Sequence, residues 1–97
     1  MDSRLARLPV AEILRVAHGH GAVAVSVFGS RARGTATPES DLDLLVQLER
    51  GRSLLDLVAI KQDLEDLLKC KVDVVTTGGL SPYLRDQVLA QALPLTA

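Results

Sequence analysis

The chain has 97 residues, 47% apolar and 24% charged, and eleven Lys and Arg against twelve Asp and Glu leave a formal net charge of −1. That composition excludes a disordered chain and a general polyanion binder, which would show low hydrophobicity or a clear basic excess. The length suits one domain over residues 1–97, burying roughly 60–70% of the surface its unfolded chain exposes.

Further exclusions follow from single residue types. Cys70 is the one cysteine, which rules out a disulfide framework and a structural zinc site. Phe28 and Tyr83 are the only aromatic residues, too few for a base-stacking platform, so no direct nucleic-acid binding is expected. No apolar run approaches the ~20 residues that span a bilayer. Met1-Asp2-Ser3-Arg4-Leu5 opens no secretory segment. The expected setting is a reducing cytoplasm, with no membrane contact.

In chain order, Pro9 to His18 reads as a short helix with Ile13, Leu14 and Ala17 on its apolar face, stopped by Gly19 and Gly21. Ala22 to Phe28 is β-branched and nearly all apolar, the pattern of a strand covered on both faces. Gly29 breaks it, and Ser30 to Ser40, with Gly34 and Pro38, reads as a helical turn followed by a loop. Leu42 to Leu48 is a second strand, with Asp41, Asp43 and Leu45 on one side and Leu42, Leu44 and Val46 on the other. Ser53 and Asp56 start a helix as N-cap and N3, and Leu54, Leu57, Val58, Leu64, Leu67 and Leu68 continue it at helical spacing. Lys71 to Thr76 is a third strand, with Val72 and Val74 opposite Asp73. Ser81 and Pro82 begin a last helix that ends near Pro94. Strands alternating with helices predict an α/β domain, a small mixed sheet of about three strands flanked by helices.

Two aspartates at i and i+2 of a strand share one face, with Cα atoms about 6.5–7 Å apart. Their mutual repulsion disfavours ionising both, and a divalent cation reverses that sign. The competing explanation is a solvated strand edge. Asp73 is a further acid in an otherwise apolar strand, with 29 residues between it and Asp43. A turn and a long helix fill that interval, which suits a return to the same sheet. Three carboxylates on one patch could hold two Mg²⁺ ions about 3.5–4 Å apart, a clamp for in-line phosphoryl displacement. Gly29-Ser30-Arg31-Ala32-Arg33-Gly34 lies after the first strand. Its glycines allow close backbone approach to phosphate, Ser30 can donate to a phosphate oxygen, and Arg31 or Arg33 could neutralise charge. It is not a Walker loop, since Thr35-Ala36 follow where Lys and Ser or Thr are required.

Gly29-Ser30, ten residues, then Asp41-Leu42-Asp43, with Asp73 on a later strand, resembles the signature of the DNA polymerase β-type nucleotidyltransferase superfamily. The fuller string through Ser40-Asp41-Leu42-Asp43-Leu44-Leu45-Val46 is similar to its minimal branch, the MNT proteins, which include the MntA-like antitoxins of HEPN/MNT toxin–antitoxin pairs. The resemblance covers nearly the whole chain. It implies that Gly29 and Ser30 bind the triphosphate of ATP, that Asp41 and Asp43 ligate two Mg²⁺ ions, and that Asp73 holds the catalytic metal and helps activate the acceptor. The implied reaction transfers AMP to a hydroxyl and releases pyrophosphate. For the antitoxin branch the acceptor is a tyrosine of a HEPN-domain RNase. The chain carries no second domain to hold base and acceptor, so the resemblance implies that a partner or a second copy supplies that surface. Two other readings stay open: an antitoxin that neutralises by binding alone, and a small-molecule adenylyltransferase, for which about 100 residues leave little pocket.

The remaining candidates have plain explanations. His18 and His20 read as a helix end and turn, Cys70 and Tyr83 as packing or surface residues, and Arg50, Arg52 and Arg85 as solvated charges.

Overall fold

The computed structural model describes residues 5–6, 8–37 and 40–96; Pro38, placed above in a loop, and the first four residues lie outside this set. Among the described residues, four α-helices and four strands follow one another as α1 (Val10–Gly19), β1 (Ala22–Phe28), α2 (Ser30–Arg33), β2 (Leu42–Leu48), α3 (Leu54–Leu68), β3 (Val72–Thr76), α4 (Pro82–Gln91) and β4 (Leu93–Pro94), with a 3₁₀ turn at Thr77–Gly79. The strands form one mixed sheet in the order β3-β2-β1-β4. β1 is antiparallel to both neighbours. β2 and β3 are parallel, as a helical crossover through α3 requires.

The α/β reading holds, with one more strand than expected. β4 pairs only Pro94 with Ser26 and Leu93 with Val27. A two-residue strand exists through its register with β1, so no local pattern announces it. It also ends the last helix at Gln91, short of Pro94.

Alternation along the strands builds two unlike faces. Leu42, Leu44 and Val46 of β2, Val25 and Val27 of β1 and Val72 of β3 are all buried. They form the core with Ile13, Leu14 and Ala17 of α1 and Ile60 and Leu64 of α3. α1 packs on β1, α3 on β3, and the two helices touch. Each such aliphatic side chain contributes about 1.5–3 kcal/mol on burial. β1 is therefore covered on one face only: Val23 and Ala24 are exposed, Ser26 and Phe28 half-buried. The register between β1 and β2 slips by one residue between Ala22 and Ala24, a bulge that leaves Val23 53% exposed.

The capping box of α3 forms as expected: Ser53 Oγ accepts from the Leu55 amide at 3.2 Å, and Asp56 accepts from the Ser53 amide at 3.0 Å. The apolar stripe of α3 is narrower than its leucines suggested. Leu57, Ile60, Leu64 and Leu68 face the core, while Leu54, Leu55, Val58 and Leu67 are exposed. Two arginines are also less free than expected. Arg85 donates to the Thr77 and Leu80 carbonyls, bracing the turn before α4, and Arg52 pairs with Glu49 and Asp56. His18 bonds the Ala22 carbonyl and His20 bonds Asp63, both as helix-end contacts. Cys70 is half-buried against the core, and Tyr83 is exposed on α4. Among the described residues no helix is long and apolar enough to cross a membrane.

Candidate active site

The second face of the sheet carries the candidate acids. Phe28 of β1, Asp43 of β2 and Asp73 of β3 lie in one row across three strands, because Phe28 pairs with Asp43 and Asp43 with Asp73. Asp43 and Asp73 are both half-buried, and their carboxyl groups lie close enough to interact. Partial burial, the neighbouring Asp73 carboxylate and, to a lesser degree, Asp41 raise the Asp43 pKa above the usual aspartate value. Arg33 pulls it the other way, so its guanidinium lies within electrostatic reach. Two carboxylates held together in this manner share a proton or welcome a cation.

Gly29 follows β1 and lies against Asp43. Its backbone, at φ 74° and ψ −151°, occupies a region open in practice to glycine alone. A Cβ built there would collide with an Asp43 carboxylate oxygen. Glycine is thus required twice, for the turn and for the close approach. Ser30 opens α2, which closes at Gly34 in the left-handed conformation at φ 78°. Gly29, Asp43 and Asp73 are therefore neighbours at one end of the open face, with Ser30 next along the chain from Gly29.

The two arginines of the loop part company. Arg33 is exposed, faces the acids and donates to Gln91 Oε1 of α4 at 3.3 Å. Arg31 turns back and donates from Nη2 to the Ser40 carbonyl at 2.8 Å. That contact ties the Gly29–Gly34 loop to the residue before Asp41. Thr37 and Ser40 brace the same loop, the Thr37 amide donating to Ser40 Oγ at 2.8 Å and the Ser40 amide to the Thr37 carbonyl at 3.0 Å.

Asp41 stands one residue ahead of β2, exposed beside the pair. Its carboxylate lies 4.0 Å from Lys71 Nζ. Among the described residues no three His, Cys, Asp or Glu side chains are grouped to hold a metal ion. The expected convergence of three acids is thus two in contact and a third alongside, paired with a lysine. Lys71 was not singled out from the sequence. Its signal was the spacing, since Lys71 precedes Asp73 as Asp41 precedes Asp43.

The donor set nonetheless suits a divalent cation. Asp43 and Asp73 offer hard oxygens pressed together against their own repulsion, and Asp41 adds a third when its carboxylate leaves Lys71.

The profile of the nucleotidyltransferase domain matches residues 10–93. The chain belongs to the nucleotidyltransferase family. This nucleotidyltransferase is 42% identical over 82 residues, 84% of its length, to a candidate protein adenylyltransferase, MJ0435 of Methanocaldococcus jannaschii, and covers 88% of that protein. It is 38% identical over 69 residues to the protein adenylyltransferase MntA of Thermococcus cleftensis, covering 71% of this chain and 70% of the relative. A solved structure described as a candidate minimal nucleotidyltransferase superposes with a TM-score of 0.81 and 52% identity over 98% of this chain and 97% of its own. A crystal structure of a toxin–antitoxin with AMP-PNP superposes with a TM-score of 0.79 and 25% identity, covering 93% of this nucleotidyltransferase and 74% of that chain.

Proposed function

We propose that this nucleotidyltransferase transfers AMP from ATP to a tyrosine hydroxyl of a HEPN-domain RNase toxin, in the presence of Mg²⁺, and acts as the antitoxin of that pair. The observation that carries the reading is the meeting of Gly29, Asp43 and Asp73 on the open face of the sheet, with Arg33 beside them. The MntA relative and the toxin–antitoxin structure with AMP-PNP support the protein acceptor, the partner and the nucleotide.

Asp41, Asp43 and Asp73 would hold two Mg²⁺ ions, which neutralise phosphate charge and lower the cost of the developing negative charge at the α-phosphorus. The chain's own groups do the rest. The glycine turn at Gly29 lets the triphosphate approach the backbone, and Ser30 donates to one of its oxygens. Arg33 supplies positive charge at the same end. Arg31 acts through Ser40, holding the Asp41 loop against the phosphate loop. Asp73 takes the proton of the attacking hydroxyl as its oxygen bonds the α-phosphorus and the bond to the β-phosphate oxygen breaks, releasing pyrophosphate.

Intact mass of the protein encoded by the adjacent gene, after incubation with the chain, ATP and Mg²⁺, tests the proposal. A gain of one or more AMP units, lost with Asp41→Asn, is expected. A stable complex with unchanged mass would replace it with neutralisation by binding. The absence of any complex would favour a small-molecule acceptor.

A further inference from the structure

Lys71 and Asp41 complete a two-by-two square on the open face. Asp43 pairs with Asp73 and Leu42 with Val72 in the parallel ladder, and the Leu42 amide donates to the Lys71 carbonyl at 2.9 Å. Asp41 and Lys71 are therefore opposite one another, one step ahead of the ladder. Being two residues before Asp43 and Asp73, they emerge on the same side as those acids. Three corners are carboxylates and the fourth is an ammonium, whose nearest acid is the one that stands apart from the other two.

We propose that Lys71 is a resident counter-ion at Asp41, which a divalent cation must displace, so that Lys71 weakens metal binding in the absence of nucleotide. The inference rests on the metal-site reading above and adds a residue that reading leaves out. In the free protein the ammonium offsets one of three like charges and holds Asp41 out of the ligand set. When the cation arrives, Asp41 turns to it and Lys71 is released. The released ammonium has other anions within reach. Glu65 of α3 already feels its charge, and nucleotide phosphates at this end of the face would offer a stronger partner. Metal and nucleotide then favour each other's binding, because each relieves the ion pair that opposes the other.

The test is Mn²⁺ titration of the full chain without nucleotide, followed by calorimetry or by the paramagnetic resonance of free Mn²⁺, on wild type, Lys71→Met, Lys71→Arg and Asp43→Asn. Lys71→Met should bind Mn²⁺ roughly threefold more tightly or better, the scale of an exposed ion pair, while Lys71→Arg stays near wild type. Equal or weaker binding by Lys71→Met, with its thermal unfolding unchanged, would overturn the proposal. Asp43→Asn separates the two ideas. If wild-type binding is lost in Asp43→Asn but unmoved in Lys71→Met, the Lys71 proposal alone fails. If Asp43→Asn binds Mn²⁺ as wild type does, the metal-site reading fails, and the Lys71 proposal with it.

Discussion

The two faces of β2 differ in everything except their backbone. Leu42, Leu44 and Val46 are sealed under α1 and α3, none more than 2% exposed. Asp43, Leu45 and Gln47 alternate with them on the other side, where Asp43 is half-buried, Leu45 buried and Gln47 exposed. The period-two geometry of one strand thus delivers stability to one face and charge to the other, one residue apart. Sealing the second face over Asp43 and Asp73 would have strengthened their repulsion, so the pair is kept where solvent or a cation can reach it. The difference teaches that the acids are a cost the core carries, and substitutions on the two faces should separate cleanly.

The largest separation is expected from the acids themselves. Asp73→Asn should lower AMP transfer by more than about a hundredfold, beyond what loss of an outer-shell metal partner costs, with circular dichroism and melting temperature close to wild type. Leu44→Ala is its mirror image. It should cost about 2–5 kcal/mol of stability in denaturant unfolding, a large share of the ~5–15 kcal/mol a domain typically has. Gly29→Ala joins both faces at one residue. The strained backbone should cost about 1–3 kcal/mol, and the displaced Asp43 carboxylate should reduce transfer more than that loss of stability explains, which titration at a temperature where the variant stays folded would reveal.

The faces should also answer pH with opposite signs. Asp43 has its native pKa raised, so the native state holds that proton more tightly than the unfolded chain. Its contribution is absent at low pH and becomes unfavourable as pH climbs from the ordinary aspartate range through the raised native value. Asp43→Asn should remove that decline from metal-free melting curves. Glu65 is lowered, because it accepts from the Val72 amide at 3.0 Å and from Lys61 Nζ at 2.9 Å. Its contribution is present above the ordinary glutamate pKa and is lost as pH falls through the depressed native value. Glu65→Gln should flatten the acid side of the same curve. The smallest effect belongs to Ser53→Ala, which removes the capping bond of α3 and should cost about 1 kcal/mol.

Much of this contrast is readable in the residues alone. β1 and β2 have the bounds that alternation and β-branching predict, the Ser53–Asp56 capping box is where its spacing puts it, and the sheet register sets Asp43 beside Asp73 with Gly29 against Asp43. What escapes the sequence depends on tertiary placement. Helical spacing counts Leu54 and Val58 into an apolar stripe, since periodicity cannot tell where the sheet beneath the helix ends. Arg31 and Arg33 look alike two residues apart, yet one grips a backbone carbonyl and the other faces the acids. Arg85 reads as a solvated charge because its carbonyl partners lie five and eight residues back, in a turn. Lys71 acquires its meaning only when β3 docks on β2 in register.

Asp43→Asn, followed on both axes at once, tests the division most directly: AMP transfer to the partner by intact mass, and metal-free melting temperature across pH. Transfer should vanish while the melting temperature at neutral pH stays level or rises. Undiminished transfer, or a destabilisation on the scale of Leu44→Ala, would contradict the assignment of this face to chemistry.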